Sequence, residues 1–428
     1  MNRARLGGLV LVALVLLPLM ASGLHQPPAA DATAVLSWLA RATGVLSLTL
    51  MLMAGVLSIR LPGLDPWFGG LTQMWFIHHL MGWSGFMLAM IHVWMVAGSA
   101  LTLSLDAAVH NLFPPLAYWQ VWAGWAALAA LLIFLAPTFK FFHEPAYRRW
   151  KRLHLLSALA LLLGLVHALA LGSKPWPWLL LGALALAAYV WRKLLSPRIA
   201  RLDYQVAEVE TLGSGMVELS LSPEGAPLRH GPGQFVYLTP LDPTLADGRG
   251  EEHPYTLSSA PDAPRLRIGI KALGDATQAI QDIRPGSRVQ VEGPYGEFLT
   301  PRDPARPALW LGGGIGITPF VSAVRALEGG AADPPVHLFN LVNTDADAYY
   351  RPELERLAAE IPGLTLTIHR WEEDGVLDVA YLAAHCPDFA RREVWICGPP
   401  VLTQHLTAIL RAQGVPRRRI HSEAFNLL

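Results

Sequence analysis

Five histidines sit in two strongly apolar stretches of this 428-residue chain. "IHHLMGWSGFMLAMIH", residues 77–92, carries His78, His79 and His92, and "LHLLSALALLLGLVHALALG", residues 153–172, carries His154 and His167. A lone imidazole in such a setting usually bonds a backbone carbonyl or reaches an interface. Four at matched depths on two stretches mean more, because ionisable groups within a membrane are costly and mark function. Imidazole suits iron, zinc and copper. His78 and His92 are about 21 Å apart along a helix and only about 40° apart around it, so they share a face at two depths. His154 and His167 are about 20 Å apart but about 140° around an ideal helix; a distortion near Gly164 or long reaching rotamers must bring them to one side. Neither stretch holds a carboxylate or a cysteine. Two stacked pairs therefore fit two bis-histidine haems better than a metal cluster, with His78 and His154 on an inner haem iron and His92 and His167 on an outer one. His79 is the rival to His78; Gly82, four residues after His78 where a flat macrocycle must approach, favours His78. Arg41 either pairs with a haem propionate or snorkels to the interface.

A second set of motifs occupies the other half. Gly312-Gly313-Gly314-Ile315-Gly316 follows an apolar strand pattern and opens a helix, a turn whose N–H groups can take a pyrophosphate, unless it is simply a tight strand–helix turn. In "HPYTLSS", residues 253–259, Tyr255 can stack on a flat ring and the hydroxyls of Thr256, Ser258 and Ser259 can meet a phosphate or a ring edge. "CGPP", residues 397–400, ends another strand pattern, at the edge where ligands bind in doubly wound folds; a buried structural cysteine is the alternative for Cys397.

The elements that must hold these residues divide the chain. Hydrophobic residues make up 53% and charged residues 15%, against about 25% charged in soluble proteins, and the shortage falls in residues 1–195. Six candidate spans are expected at about 7–24, 33–57, 74–97, 117–137, 152–172 and 175–192; the first could instead be a signal peptide behind Arg3 and Arg5. Lys140, Arg148, Arg149, Lys151 and Arg152, then Arg192, Lys193, Arg198 and Arg201, put the loop after span four and the exit of span six in the cytoplasm. Tryptophans 75, 94, 119, 150, 176 and 191 form an interfacial belt. The expected architecture is an all-α transmembrane haem-binding domain over 1–195, an antiparallel β-barrel over 203–303 and an α/β doubly wound nucleotide-binding domain over 304–428. The zero net charge gives no pointer to nucleic acid, and two cysteines, Cys386 and Cys397, exclude a disulfide framework and a four-cysteine iron–sulfur cluster within the chain.

With "HPYTLSS", "GPYG" (293–296), "GGGIGITP" and "CGPP" in that order, the second half resembles the ferredoxin-reductase superfamily. With the histidine spacings added, residues 30–428 resemble the NADPH oxidase and ferric reductase family. The resemblance implies that His253, Pro254, Tyr255, Thr256, Ser258 and Ser259 bind FAD. It implies that Gly312, Gly313, Gly314, Gly316, Thr318 and Pro319 cradle the NAD(P)H pyrophosphate, with Cys397 and Gly398 near the nicotinamide. In "SEAF", Phe425 takes the place of the family's terminal aromatic over the flavin with Glu423 beside it, although Asn426 to Leu428 follow. Cys397, Glu423 and Phe425 are thus the candidate catalytic residues. The implied activity is electron transfer from cytoplasmic NAD(P)H through FAD and two b haems to an acceptor beyond a cell membrane, either O2 or ferric iron. A haem-containing donor to a periplasmic protein is the alternative. Outside loops 22–33, 98–116 and 172–175 offer only Asp31 and Asp106 as hard ligands for ferric iron, which favours oxygen or a loosely docked chelate. In "NTDADAYYR", Asn343 and Thr344 stand where an arginine for a 2′-phosphate is expected, Asp345 argues mildly for NADH, and Arg351 lies farther along the helix.

Overall fold

Long uncharged runs leave backbone N–H and C=O groups only one another to bond, and a helix is the structure that satisfies them within one segment. In the computed structural model, which describes residues 3–26, 28–136, 147–172, 174–213, 215–300 and 303–424, the first half is helical: α1 (Arg3–Ala21), α2 (Ala32–Leu57), α3 (Leu71–Leu101), α4 (Leu105–Leu112), α5 (Trp119–Leu135), α6 (Tyr147–Leu153), α7 (Leu156–Leu171) and α8 (Trp176–Val190). A single π-helical turn, Trp191–Leu195, joins α8 to α9 (Ser196–Ile199). Among the described residues, five helical segments are long and apolar enough to cross a membrane: Arg3–Ala21, Ala32–Leu57, Leu71–Leu101, Trp150–Leu171 and Trp176–Ile199. The span expected at 117–137 is represented by α5, whose 17 residues are apolar but shorter. Lys140 lies outside the described residues.

This unit (Met1–Arg198) wears its apolar side chains outward: Leu9, Val12, Leu80, Ile133, Leu162 and Leu186 are exposed, as a lipid-facing surface requires. α2 packs along α3, and α5 along α7. The segment expected as a plain outer loop at 98–116 instead contains α4, started by Ser104, which accepts the Ala107 N–H. The stretch after α4 is tied to α5, where the Trp125 indole donates to Leu112 O at 2.7 Å and Phe113 stacks on its ring.

The second unit (Ile199–Leu428) follows the change from uninterrupted apolar runs to period-two alternation. Strands β1 (Arg201–Gly213), β2 (Met216–Pro223), β3 (Phe235–Pro240), β4 (His253–Thr256), β5 (Leu266–Lys271) and β6 (Arg288–Tyr295) form one sheet in the order β4-β3-β6-β1-β2-β5, with α10 (Asp275–Ala279) between β5 and β6. All its pairings are antiparallel, and a bridge from Leu257 to Ile268 brings the end of β4 to β5, curling the sheet toward a barrel. Alternate residues such as Leu219, Leu221, Val236, Leu238, Val289 and Val291 fill the interior.

After residue 300 the pattern alternates strand and helix, and the sheet becomes parallel. Strands β7 (Ala308–Gly313), β8 (Val336–Val342), β9 (Leu364–Arg370), β10 (Glu393–Gly398) and β11 (Ile420–Ala424) lie in the order β11-β10-β7-β8-β9, with helices α11 (Thr318–Ala326), α12 (Arg351–Glu360), α13 (Trp371–Asp374), α14 (Val379–His385) and α15 (Pro400–Ala412) between them. The order reverses between β7 and β10, and the crevice beyond the carboxyl ends of such a pair is where doubly wound folds bind ligands.

Arg325 in α11 joins the two sheets of this unit. Its Nε donates to Glu353 at 2.9 Å; Nη1 donates to Glu218 and to the Ser258 carbonyl, both at 3.0 Å; Nη2 donates to Glu353 at 2.7 Å and Glu218 at 3.2 Å. These bonds use all five guanidinium N–H groups. The Tyr350 ring lies 5.4 Å from the guanidinium carbon. Arg325 and Glu218 are both buried, so neither charge is tolerable without the other. We expect Arg325→Met to destabilise the protein by about 3–5 kcal/mol, because Glu218 then stays buried without its guanidinium. Glu218→Leu/Arg325→Met should recover most of that loss; denaturant midpoints read by tryptophan fluorescence check both.

Candidate functional site

The four apolar-stretch imidazoles meet in two pairs. The His78 and His154 ring centres are 6.3 Å apart, and those of His92 and His167 are 6.4 Å apart. Two imidazoles that each hold one metal through nitrogen at about 2 Å have ring centres roughly 6 Å apart, so both pairs fit a six-coordinate haem iron between them. Three of the rings are anchored alike: Nδ1 of His78 bonds Ala54 O, Nδ1 of His92 bonds Ala40 O and Nδ1 of His167 bonds Gln120 O, each at 2.7 Å. A carbonyl accepts, so Nδ1 carries the proton and Nε2 keeps its lone pair for a metal. His154 is held differently, with its ring against Trp150 at 5.0 Å and Phe134 at 5.3 Å; its Nδ1 has no hydrogen-bond partner among the described residues.

The helical distortion that His154 needs is at His154 itself. Gly164 lies inside the unbroken α7, whereas α6 ends at Leu153 and α7 begins at Leu156. Across the gap the bonds run three residues back, Leu155 N to Arg152 O, Ser157 N to His154 O and Ala158 N to Leu155 O. Each residue wound this way advances about 120° rather than 100°, so the break turns His154 toward the side of the helix that carries His167. His79 is exposed and meets His78 edge-on at 5.5 Å, while His78 faces His154. Arg41 is exposed and follows Ala40, the residue that anchors His92, so it stands at the depth of that pair.

Two glycines that the motifs did not single out make the anchoring possible. A Cβ at Gly44 would lie 2.8 Å from His92 Nδ1, and one at Gly124 would lie 2.8 Å from His167 Nδ1. Each follows the anchoring carbonyl by four residues on the same helix face. The available signal was that spacing, Ala40–Gly44 and Gln120–Gly124.

In the second unit, β4 presents His253, Pro254, Tyr255 and Thr256, all half-buried. β3 pairs with it, Val236 opposite Tyr255 and Phe235 opposite Thr256. Tyr255 packs against the barrel core, and burial raises its hydroxyl pKa. Ser258 and Ser259 are fully buried. Their hydroxyls bond Glu218 and His230, and the Ser259 carbonyl accepts from Ser322 of α11 at 2.7 Å. These two serines join the barrel to the nucleotide-binding sheet.

At the reversal point, parallel pairing sets Cys397 of β10 beside Gly312 of β7 and beside Glu423 of β11. Gly314 has φ of 56° and open space where a Cβ would stand, so the turn needs glycine and leaves its face clear. Thr318 closes the turn by donating to Ile315 O at 2.6 Å. Cys397 is fully buried; burial, with the Glu423 carboxylate near it, pushes the thiol well above its ordinary range. It is a buried neutral thiol rather than a thiolate nucleophile. Phe425 lies outside the described residues.

Residues 43–165 match the ferric reductase like transmembrane component family, 201–298 an FAD-binding domain and 310–407 an oxidoreductase NAD-binding domain. The chain is 32% identical over 203 residues to an NADPH oxidoreductase of Mycobacterium tuberculosis, covering 45% of this chain and 52% of that one. It is 34% identical over 241 residues to the ferredoxin reductase component of a 3-ketosteroid-9-alpha-monooxygenase of Mycolicibacterium smegmatis, covering 53% and 66%. The chain thus spans about half to two-thirds of these relatives. A flavohemoglobin structure from Malassezia yamatoensis aligns over 92% of this chain and 97% of its own with a TM-score of 0.51 at 19% identity, a likeness of fold alone. The second and third matches make the second unit an FAD- and NAD-binding oxidoreductase module.

In that module, a Cβ on Gly316 would run into the Cys397 carbonyl and the Gly398 nitrogen, backbone groups held by the sheet. Gly316→Ala should therefore cost about 1–3 kcal/mol by overpacking and weaken nicotinamide nucleotide binding. Thermal unfolding and nucleotide titration of the purified variant would show both losses.

Proposed function

From the domain architecture of the NADPH oxidase and ferric reductase family, which this chain has, we propose that it carries electrons from NAD(P)H on the cytoplasmic face of a cell membrane to an acceptor on the opposite face. The observation that carries this reading is the pair of imidazole separations, 6.3 and 6.4 Å, on helices long enough to span a bilayer. When bound, FAD and two b-type haems supply the redox chemistry, taking up a hydride and passing single electrons.

The chain's own residues bind, order and insulate. His78 with His154, and His92 with His167, hold one iron each; the carbonyls of Ala54, Ala40 and Gln120 set the orientation of three of the rings and raise their basicity. Arg41 serves a propionate of the outer haem. His253, Pro254, Tyr255 and Thr256 bind the flavin from β4, while Ser258 and Ser259 contribute by holding that strand to α11. Gly312, Gly313, Gly314, Gly316, Thr318 and Pro319 take the pyrophosphate at the start of α11. Cys397, Gly398 and Glu423 wall the nicotinamide site, and Phe425 covers the flavin. The arginine and lysine asymmetry supports a cytoplasmic position for this dehydrogenase half.

For the acceptor we favour oxygen, reduced to superoxide, over a dedicated ferric site. Asp31 caps α2 by accepting the Ala34 N–H at 2.9 Å, and Asp106 lies in the first turn of α4, so both outer acids are accounted for by helix ends.

Purified protein should carry two low-spin haems per chain with histidine on both axial positions; a ratio near one overturns the two-site reading. His167→Ala and Gly124→Ala should perturb the same haem in optical and EPR spectra, and His79→Ala should perturb neither. For the acceptor, NAD(P)H oxidation in air should drive cytochrome c reduction that superoxide dismutase suppresses. Fast anaerobic reduction of ferric citrate with little superoxide in air would make the protein a ferric reductase instead.

A further inference from the structure

The turn after β8 answers a question that the chain order leaves open. β8 and β9 run parallel with Val342 beside Arg370, so both end at the sheet edge that carries Gly312 and Cys397. Asp345 follows β8, Arg351 opens α12 and Arg370 ends β9. The Arg351 Nη1 donates to Asp345 Oδ1 at 2.9 Å, and Arg370 Nε donates to the same oxygen. Oδ2 of Asp345 therefore has no partner among the described residues, and the side chain is 56% exposed. The two arginines are themselves engaged: Arg351 Nε donates to Glu355 at 2.8 Å, and Glu373 is 3.8 Å from the Arg370 guanidinium, while the backbone N–H of Arg370 donates to Asp374 at 2.8 Å. Two guanidiniums thus face three carboxylates, Asp345, Glu355 and Glu373. Hydrogen bonding from Arg370 holds the Asp345 carboxyl below its usual range, so it is charged at any working pH.

We propose that this site selects NADH over NADPH, with Asp345 Oδ2 accepting a hydroxyl proton of the adenosine ribose and Arg351 and Arg370 acting as positioning residues that hold the carboxylate in place. The inference rests on the nicotinamide-dinucleotide reading of the β7–β10 crevice. In doubly wound folds an acid at this edge bonds the ribose 2′-hydroxyl, whereas a free arginine takes a 2′-phosphate. Here the arginines are neutralised by the acid, and a dianionic phosphate meets an excess of negative charge at short range. Arg370 is 25 residues from Asp345 in sequence and reaches it only because β9 is the neighbour of β8.

The test uses the full-length flavin- and haem-loaded protein and follows anaerobic flavin bleaching as NADH or NADPH is titrated. Wild type should favour NADH by about tenfold or more in apparent affinity. Asp345→Asn should weaken NADH and strengthen NADPH, reversing the preference, because it removes the acceptor charge and releases two guanidiniums in one step. The NADPH gain should fall with added salt and disappear in Asp345→Asn/Arg370→Ala. Asp345→Glu, which keeps the charge, should keep the NADH preference. Wild type that prefers NADPH, or Asp345→Asn that leaves the ratio of the two affinities unchanged, overturns the inference while leaving the proposed function standing. Bleaching by neither nucleotide in flavin-loaded wild type overturns the dinucleotide reading itself, and this inference with it.

Discussion

The distance between facing imidazoles is the dimension to which the membrane half is built. A metal between two nitrogens tolerates little variation in bond length, so in the proposed reading two pairs at 6.3 and 6.4 Å require α3 and the segment from His154 through α7 to keep the same separation at two depths. Side-chain packing alone would not hold an imidazole so well, because an apolar surface has no directional preference. The carbonyls of Ala54, Ala40 and Gln120 supply the direction. They can do so only where the neighbouring helix comes close, and Gly44 and Gly124 are where α2 and α5 give way.

The second unit solves a related problem by charge. In the proposed function, β4 and the glycine turn before α11 lie on different sheets and must keep a constant relation for a hydride to pass between the cofactors they would hold. α11 carries the turn at its first residues and Arg325 near its last turn. Arg325 grips Glu218 on β2 and the Ser258 carbonyl just after β4. Any rotation of one sheet against the other would strip hydrogen bonds from a buried charge, so the pair resists rotation in a way that apolar contacts would not.

Asp345 shows the same economy at the surface. One carboxylate oxygen accepts from two arginines that arrive from different elements, and the other oxygen faces outward. The cluster holds its geometry through opposite charges rather than burial, which keeps it open to a ligand.

Much of this was legible in the chain. Uninterrupted apolar runs can satisfy their backbone only as helices, the period-two pattern of "MVELSLSP" and "SRVQVEGP" makes strands, and "GGGIGITP" announces a strand–turn–helix; each depends on neighbours within a few residues. The histidine spacing in α3 showed two depths on one face because that helix is regular. The matching face of His154 was not legible, since the break at His154–Leu155 lies in an apolar run whose pattern continues through it. Nor were the bonds from Arg325 to Glu218, 107 residues apart, from Arg370 to Asp345 or from His92 to Ala40. The sequence by itself determined which elements form, in what order, and which residue types they carry, because those follow from local periodicity and turn chemistry. Only the tertiary structure decided which imidazole nitrogen is left without a hydrogen bond, which serines are consumed inside the protein and which acid is held between two arginines at the end of β8. Each of those is a choice among partners far apart in the chain, and burial and hydrogen-bond satisfaction make it only when the elements come together.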